Sequence, residues 1–440
     1  MNFTNSKFAI AVFVVLCVLS LSFCVYRDIE VRKHYPLDLR NRVVGSRLQM
    51  DGISPYFYHW KESDGLRYYD WGNGTSNLKI SNITATPFFH QLISPIANYS
   101  YDTITKIWLI CNYLAFLIIV IIALRLCTNS HQRVAVIVAC ISFLYTHAWI
   151  NNTYKGQLYL MIALLSMCFC FMLSLRPKII YAMFAGLFAM SLVLIRPNAI
   201  IFLLPFLLLA PNYTRKYKLA LVAPALFLML IAFSTSSSRQ YWTDYRLAVK
   251  DHIKVHQKLT ATTQDTVFVP IFNQFEGWDI KKINEAKKFP FYKYNEANGN
   301  VFVYLNKGLN VRTPLWLLGT MCLVTMAALT ILFFKRHGAG PNLNLYTIAT
   351  FSFLLYMLTD MFSPVHRFHY NASQWIFPLL LTASTWTSRV SKVYVIGVFS
   401  GLILNSLSFS MFRMQHSIGE YIMCLSLIAL LLTYKTDPEK

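Results

Sequence analysis

Asp38 is the carboxylate best placed for acid–base work. It lies about a dozen residues past the first hydrophobic stretch, Phe8 to Val25, in the run D-L-R-N-R-V-V-G-S-R-L-Q-M-D-G-I-S-P-Y. That run belongs to a polar segment that ends only where the next hydrophobic stretch begins, near Ile104. A carboxylate held just outside a bilayer, on a short helix beside lipid headgroups, is positioned to take a proton from a group attacking a lipid-linked substrate. The plainer alternative is a carboxylate in the first turn of a helix, paired with Arg42 at i,i+4. Asp360, at a helix mouth, competes for the role of base, with Asp51, Asp64 and Glu420 behind it.

Charges kept on the external face against the positive-inside bias cluster at four other helix mouths, three of them rich in donors suited to an anion. These are N-N-T-Y-K-G-Q (151–157), R-P-N (196–198), D-M-F-S-P-V-H-R-F-H-Y (360–370) and the segment around Arg413. The planar fork of Arg196, fixed by the following Pro197, suits bidentate contact with phosphate. The same residue could equally snorkel to headgroups. His366, Arg367 and His369 follow Pro364, and the two histidines share a face if a helix begins there, which suits phosphate recognition or orientation of a leaving group. As a metal pair they lack a third ligand. The first loop has no D-x-D, so a metal clamp on a nucleotide diphosphate has no visible ligands, and the chemistry expected is metal-independent and without cofactor.

The elements that must position these residues are set by composition. Of the 440 residues 56% are hydrophobic and only 13% charged, which excludes an ordinary soluble domain. Twelve hydrophobic runs read as membrane helices: 8–25, 104–124, 133–150, 157–175, 179–195, 198–210, 217–233, 314–334, 343–361, 370–386, 392–410 and 418–434. The run at 198–210 is short and contains Pro205, the mark of a broken or tilted helix. With the N-terminus in the cytoplasm, basic residues from Lys7 to Lys440 gather inside, and the short external connections keep only Lys155, Arg196, Arg367 and Arg413, with Lys106 at a helix mouth. Both termini are therefore expected in the cytoplasm of a plasma (inner) membrane protein. Fifteen of the nineteen acidic residues fall in two external loops, 26–103 and 235–312, so the working face is extracytoplasmic.

A net charge of +21 is accounted for largely by cytoplasmic anchoring and anionic lipid, and nucleic acid is not an expected partner. The nine cysteines sit in or beside hydrophobic spans, so neither a disulfide framework nor a zinc site is expected. The chain reads as one membrane domain, 1–440, with two inserted caps. In the first cap Leu37 to Met50 has helical spacing, with Gly52 as its stop, and reads as an interfacial helix. In the second, R-Q-Y-W-T-D-Y-R-L-A-V-K-D-H-I-K is similarly amphipathic.

These features together resemble the GT-C glycosyltransferases, and within them the GT87 family of polyprenyl-phosphate-mannose-dependent α-mannosyltransferases. The first-loop run is similar to the family's Asp-Leu, helix, Gly-x-x-Pro-Tyr pattern at Asp38, Leu39, Gly52, Pro55 and Tyr56. T-P-F-F-H-Q-L-I-S-P (86–95) is similar to its proline-rich approach to the second span, K-G-Q-L-Y-L to its Gly-Gln-x-Asn helix start, and S-P-V-H-R-F-H-Y to its late Ser-Pro and histidines. Tyr159 stands where the family often has Asn, Phe88 replaces a second proline, and Arg367 interrupts the histidines. The resemblance implies an all-α polytopic membrane protein, a GT-C-like bundle of about twelve transmembrane helices. It implies inverting transfer of a hexose, mannose by family, from a polyprenyl-phosphate sugar to a glycan or glycolipid acceptor. Asp38 would be the base, and Arg42, Tyr56, Lys155, Gln157, Arg196, Asp360, His366, Arg367 and His369 would bind substrate. Arg196, His366, Arg367 or His369 would stabilise the departing lipid phosphate.

Two other classes compete. An O-antigen polymerase or ligase also uses lipid-linked glycans, but usually keeps its large loop late in the chain. A non-catalytic lipid-linked sugar transporter would favour inverted repeats and mid-membrane charges, and neither is visible here.

Overall fold

The computed structural model describes residues 7–32, 37–70, 83–175, 177–209, 214–256, 274–275, 278–279, 299–309, 311, 313–338, 343–365, 367–385, 389–407 and 414–433. Every one of the twelve hydrophobic runs forms helix. In chain order the principal helices are α1 (Lys7–Val31), α2 (Leu37–Met50), α3 (Pro87–Ile93), α4 (Tyr101–Leu126), α5 (Ser130–Leu144), α6 (His147–Tyr154), α7 (Tyr159–Ser174), α8 (Ile179–Ile195), α9 (Ile200–Leu209), α10 (Arg215–Ala232) and α11 (Ser236–His256). Five more follow: α12 (Leu315–His337), α13 (Leu345–Met361), α14 (Ile376–Thr385), α15 (Arg389–Ser406) and α16 (Gln415–Thr433). A two-residue antiparallel ladder, Gln274↔Asp279 and Phe275↔Trp278, lies in the second loop.

Four of the described helices are individually long and apolar enough to cross a membrane, α1, α4, α12 and α16, and up to six spans result if the bent pairs α5/α6 and α10/α11 each count as one. The other apolar helices, α7, α8, α9, α13 and α15, are shorter. The count of twelve treats every run as a crossing, whereas a run folded as a short or broken helix covers less of the bilayer at 1.5 Å per residue. The 198–210 run begins as a 3-10 turn at Pro197–Ala199 and continues as α9 with Pro205 inside it. Close helix crossings rest on small residues. Gly401 and Gly419 face each other, so that a Cβ on Gly401 would lie 2.6 Å from the Gly419 carbonyl oxygen, which lets α15 and α16 approach backbone to backbone.

Helix α2 has the bounds expected from its spacing, and much of its side-chain surface is packed inside the protein. Leu39, Arg40, Val43, Val44, Arg47 and Leu48 are all buried. Arg40 donates to the carbonyls of Tyr69 and Leu66, and Arg47 to those of Ala97 and Arg67. Two buried guanidiniums one heptad apart thus satisfy loop carbonyls that burial would otherwise leave unpaired, and they bind the first cap around α2. The expected amphipathic segment of the second cap is α11, which packs Tyr241 and Ala248 against Val44, Leu48, Tyr56 and Ile83. Ser54 donates to Asp244 at 2.6 Å across the same contact.

The turn between α6 and α7 fixes where α2 sits. It is a Schellman stop: the Gly156 N–H bonds the Thr153 carbonyl and the Gln157 N–H bonds the Asn152 carbonyl at 2.8 Å, with Gly156 at φ +68°. A Cβ on Gly156 would overlap the Leu39 side chain, and the Leu39 N–H, one of the donors left open at a helix start, bonds the Lys155 carbonyl at 3.1 Å. Gly156→Ala therefore meets both a left-handed backbone and an occupied volume. It is expected to lower stability by roughly 2–4 kcal/mol, read as a fall in thermal unfolding temperature of the detergent-solubilised protein.

Candidate active site

The first turn of α2 brings Asp38 over the 155–157 turn. Gln157 bridges the two charged residues of that helix: its Nε2 donates to Asp38 Oδ2, and its Oε1 accepts from Arg42 Nη2 at 2.7 Å. Both ends of one amide are used, which fixes its orientation and that of the carboxylate. The direct Asp38/Arg42 pairing expected from i,i+4 spacing is thus replaced by a pairing through Gln157. Arg42 spends its other terminal nitrogen on the Gly156 carbonyl at 2.7 Å, a fixed acceptor that lies across the turn. Burial pulls the Arg42 guanidinium down from its ordinary value, against Asp38, Tyr370 and Tyr159, which favour its charged form. Asp38 is half-buried, and its Oδ1 makes no hydrogen bond with any described residue.

Asp360 is differently placed. It is 1% exposed and both oxygens are engaged. Oδ1 accepts from Arg196 Nη2 at 2.7 Å and from Asn198 at 2.9 Å, and Oδ2 accepts from Gln374 at 3.1 Å. Arg196 also lies over the Tyr159 ring, 5.3 Å from its centroid, and donates to its hydroxyl at 3.3 Å. Tyr159 stacks on Tyr370 at 5.6 Å, and Lys155 Nζ sits 5.7 Å from the Tyr370 centroid and 5.9 Å from that of Phe368. Two cations and two stacked tyrosines form one wall beside Asp38 and Arg42.

Of the other expected site residues, Arg367 and Tyr56 bond within the protein, while His369 keeps a buried Nδ1 without a hydrogen-bond partner. Arg367 grips Glu420 with both terminal nitrogens at 2.6 and 2.7 Å, Trp375 donates to the same carboxylate at 2.9 Å, and the pair is buried. His369 stacks on His147 at 5.3 Å and meets His416 edge-on at 4.3 Å. Among the described residues no group of three or more His, Cys, Asp or Glu is placed to hold a metal ion. Tyr56 is 2% exposed, donates to the Ala85 carbonyl at 2.6 Å and packs on Tyr245 of α11, so it joins the two caps rather than facing Asp38. His366 and Arg413 lie outside the described residues. The structure therefore brings together Asp38, Arg42, Lys155, Gln157, Arg196 and Asp360. Sequence reasoning missed Gln374 and Tyr370, and noted Tyr159 only as a departure from the family pattern. The R-P-N triplet was a signal for Asn198, whereas nothing local marks Gln374.

His90, on α3 directly behind α2, has no hydrogen-bond partner at either ring nitrogen and is fully buried. A Cβ on Gly45 would lie 2.5 Å from its Nε2, so glycine is what admits the ring. Burial, with Arg42 adding to it, pushes its pKa down to about 3.

Residues 84–273 match the sequence model of Glycosyltransferase family 87, in agreement with the resemblance carried by the short motifs. No curated protein matches. A solved structure, the Archaeoglobus fulgidus oligosaccharyltransferase in its apo form, is similar at a TM-score of 0.40 and 11% identity, over 94% of this chain and 56% of that one. The present chain thus spans little more than half the length of that protein.

Arg367→Met leaves the buried Glu420 without a counter-charge and with Trp375 as its remaining described donor, so it is expected to cost about 3–5 kcal/mol, measured by thermal or denaturant unfolding. His90 is neutral in the fold, while the unfolded chain takes up a proton below its ordinary value of 6.5. Stability is therefore full above pH 6.5 and declines as pH falls toward 3, by about 2 kcal/mol at pH 5. A pH series of unfolding midpoints in wild type and His90→Gln is expected to show that slope reduced in the variant.

Proposed function

We propose that this chain, whose residues 84–273 match glycosyltransferase family 87, is an integral-membrane glycosyltransferase. It moves a hexose, taken as mannose from the family resemblance, from a polyprenyl-phosphate carrier to a glycan or glycolipid acceptor on the extracytoplasmic face. The reading rests above all on Asp38. It has an oxygen unengaged by described residues, whereas the rival Asp360 is buried and bonded at both oxygens. A general base needs an accessible lone pair aimed at the acceptor proton, and only the first of these two offers one.

In the step proposed, an acceptor hydroxyl oxygen attacks the anomeric carbon while Asp38 Oδ1 takes its proton. The bond from that carbon to the carrier's phosphate oxygen breaks, and its electron pair leaves with the phosphate. A single displacement inverts the configuration. The leaving group goes from a phosphodiester to a phosphate monoester and gains one negative charge, so cationic groups stabilise the transition state more than the ground state. Gln157 holds the base by its other oxygen and Arg42 holds Gln157. Arg196 and Asp360 form a neutralised pair that keeps Tyr159 and Tyr370 in place.

Asp38→Asn keeps the bond from Gln157 available on one oxygen and removes the basic one. It is expected to lower transfer by about 10²- to 10⁴-fold with the unfolding temperature unchanged, measured in membranes against a panel of polyprenyl-phosphate sugars with product analysis by mass spectrometry. Wild-type turnover in this variant would remove Asp38 from the role and promote Asp360.

A further inference from the structure

Among the cations beside Asp38, each guanidinium already has acceptors. Arg196 is paired with Asp360, Arg367 with Glu420, and Arg42 with Gly156 and Gln157. Lys155 differs. Its Nζ makes no ion pair or hydrogen bond with any described residue, and it rests against the faces of Phe368 and Tyr370. Its side chain is half-buried. Such an ammonium is partly stripped of water without a counter-charge, which leaves its field available to an arriving anion. The aromatic faces restrain the flexible stem and offer the cation partial compensation, so it is held ready rather than folded back onto a carboxylate.

Its mounting is the second observation. The Lys155 carbonyl accepts the Leu39 N–H, the next residue's carbonyl accepts Arg42, and Gln157 holds Asp38. Base and ammonium are therefore fixed to one three-residue turn, and any movement of that turn carries both. A reaction that takes a proton at one group while charge builds on a leaving phosphate needs such a fixed separation.

We propose that Lys155 binds the phosphate of the departing lipid carrier, a role the sequence pattern had given to Arg196, Arg367 and the histidines of 366–369. This rests on the glycosyl-transfer reading above. The ammonium meets the carrier's phosphodiester in the ground state and gains attraction as the carbon–oxygen bond breaks and the monoester forms. Its loss therefore lowers kcat as well as raising the KM for the donor.

The test uses the full chain in nanodiscs of zwitterionic lipid, with binding of a short polyprenyl phosphate, the matching polyprenol, phosphatidylglycerol and inorganic phosphate each measured by native mass spectrometry. Wild type is expected to prefer the polyprenyl phosphate over the polyprenol by about tenfold or more. Lys155→Met is expected to lose that preference and Lys155→Arg to keep most of it. Lys155→Gln replaces the methionine variant where that one does not fold.

Preference undiminished in the neutral variant overturns the proposal, and if sugar transfer persists in wild type the glycosyltransferase reading survives that failure. A preference that depends on Lys155 in a protein that transfers no sugar upholds the site and removes the reaction. Displacement of the lipid by millimolar inorganic phosphate, or equal binding of phosphatidylglycerol, overturns the assignment to the carrier.

Discussion

The seating of α2 on the turn between α6 and α7 is the constraint on which the site depends. One hydrogen bond joins the Leu39 N–H to the Lys155 carbonyl, and one glycine, Gly156 at φ +68°, leaves room for the Leu39 side chain. Neither feature is chemical in itself. Together they place a helix start against a helix stop, so that a donor left open by the first meets a carbonyl left open by the second. Asp38, Arg42, Gln157 and Lys155 then converge because their backbones are already joined.

Behind that turn the charges are handled as a low-dielectric interior requires. Asp360 and Glu420 each meet an arginine and further donors, Asn198 and Gln374 in one case and Trp375 in the other. A carboxylate this buried needs partners for its lone pairs, and those partners close it to other groups. Asp38 and Asp360 thus differ in burial and in partner count rather than in residue type. Arg196 and Arg367 are each paired with a buried carboxylate, whereas Lys155 makes no ion pair with any described residue and rests against Phe368 and Tyr370.

Helicity was legible in the chain because bilayer-length apolar runs admit few other solutions for backbone polar groups. The bounds of α2, Leu37–Met50, were legible from spacing and from Gly52. Its setting was not: Arg40 and Arg47 look like surface charges in the sequence, and only the loop carbonyls of Tyr69, Leu66, Ala97 and Arg67 make them buried ones. The number of crossings was legible only as a number of apolar runs. A proline, a short run or a bend of 56° or 90° decides how much of the bilayer each covers.

By itself the sequence determined that Asp38 follows a hydrophobic helix, that K-G-Q opens another, and that Arg196 and Asp360 stand at helix mouths, since each of these is a matter of local spacing. Tertiary structure decided that Gln157 spans Asp38 and Arg42, that Asp360 is closed by Arg196, Asn198 and Gln374, and that Lys155 stands over Tyr370. The reason is physical. Every one of these contacts joins residues that are distant in sequence, and which of several competing partners a charged side chain takes depends on burial and distance that no local pattern encodes.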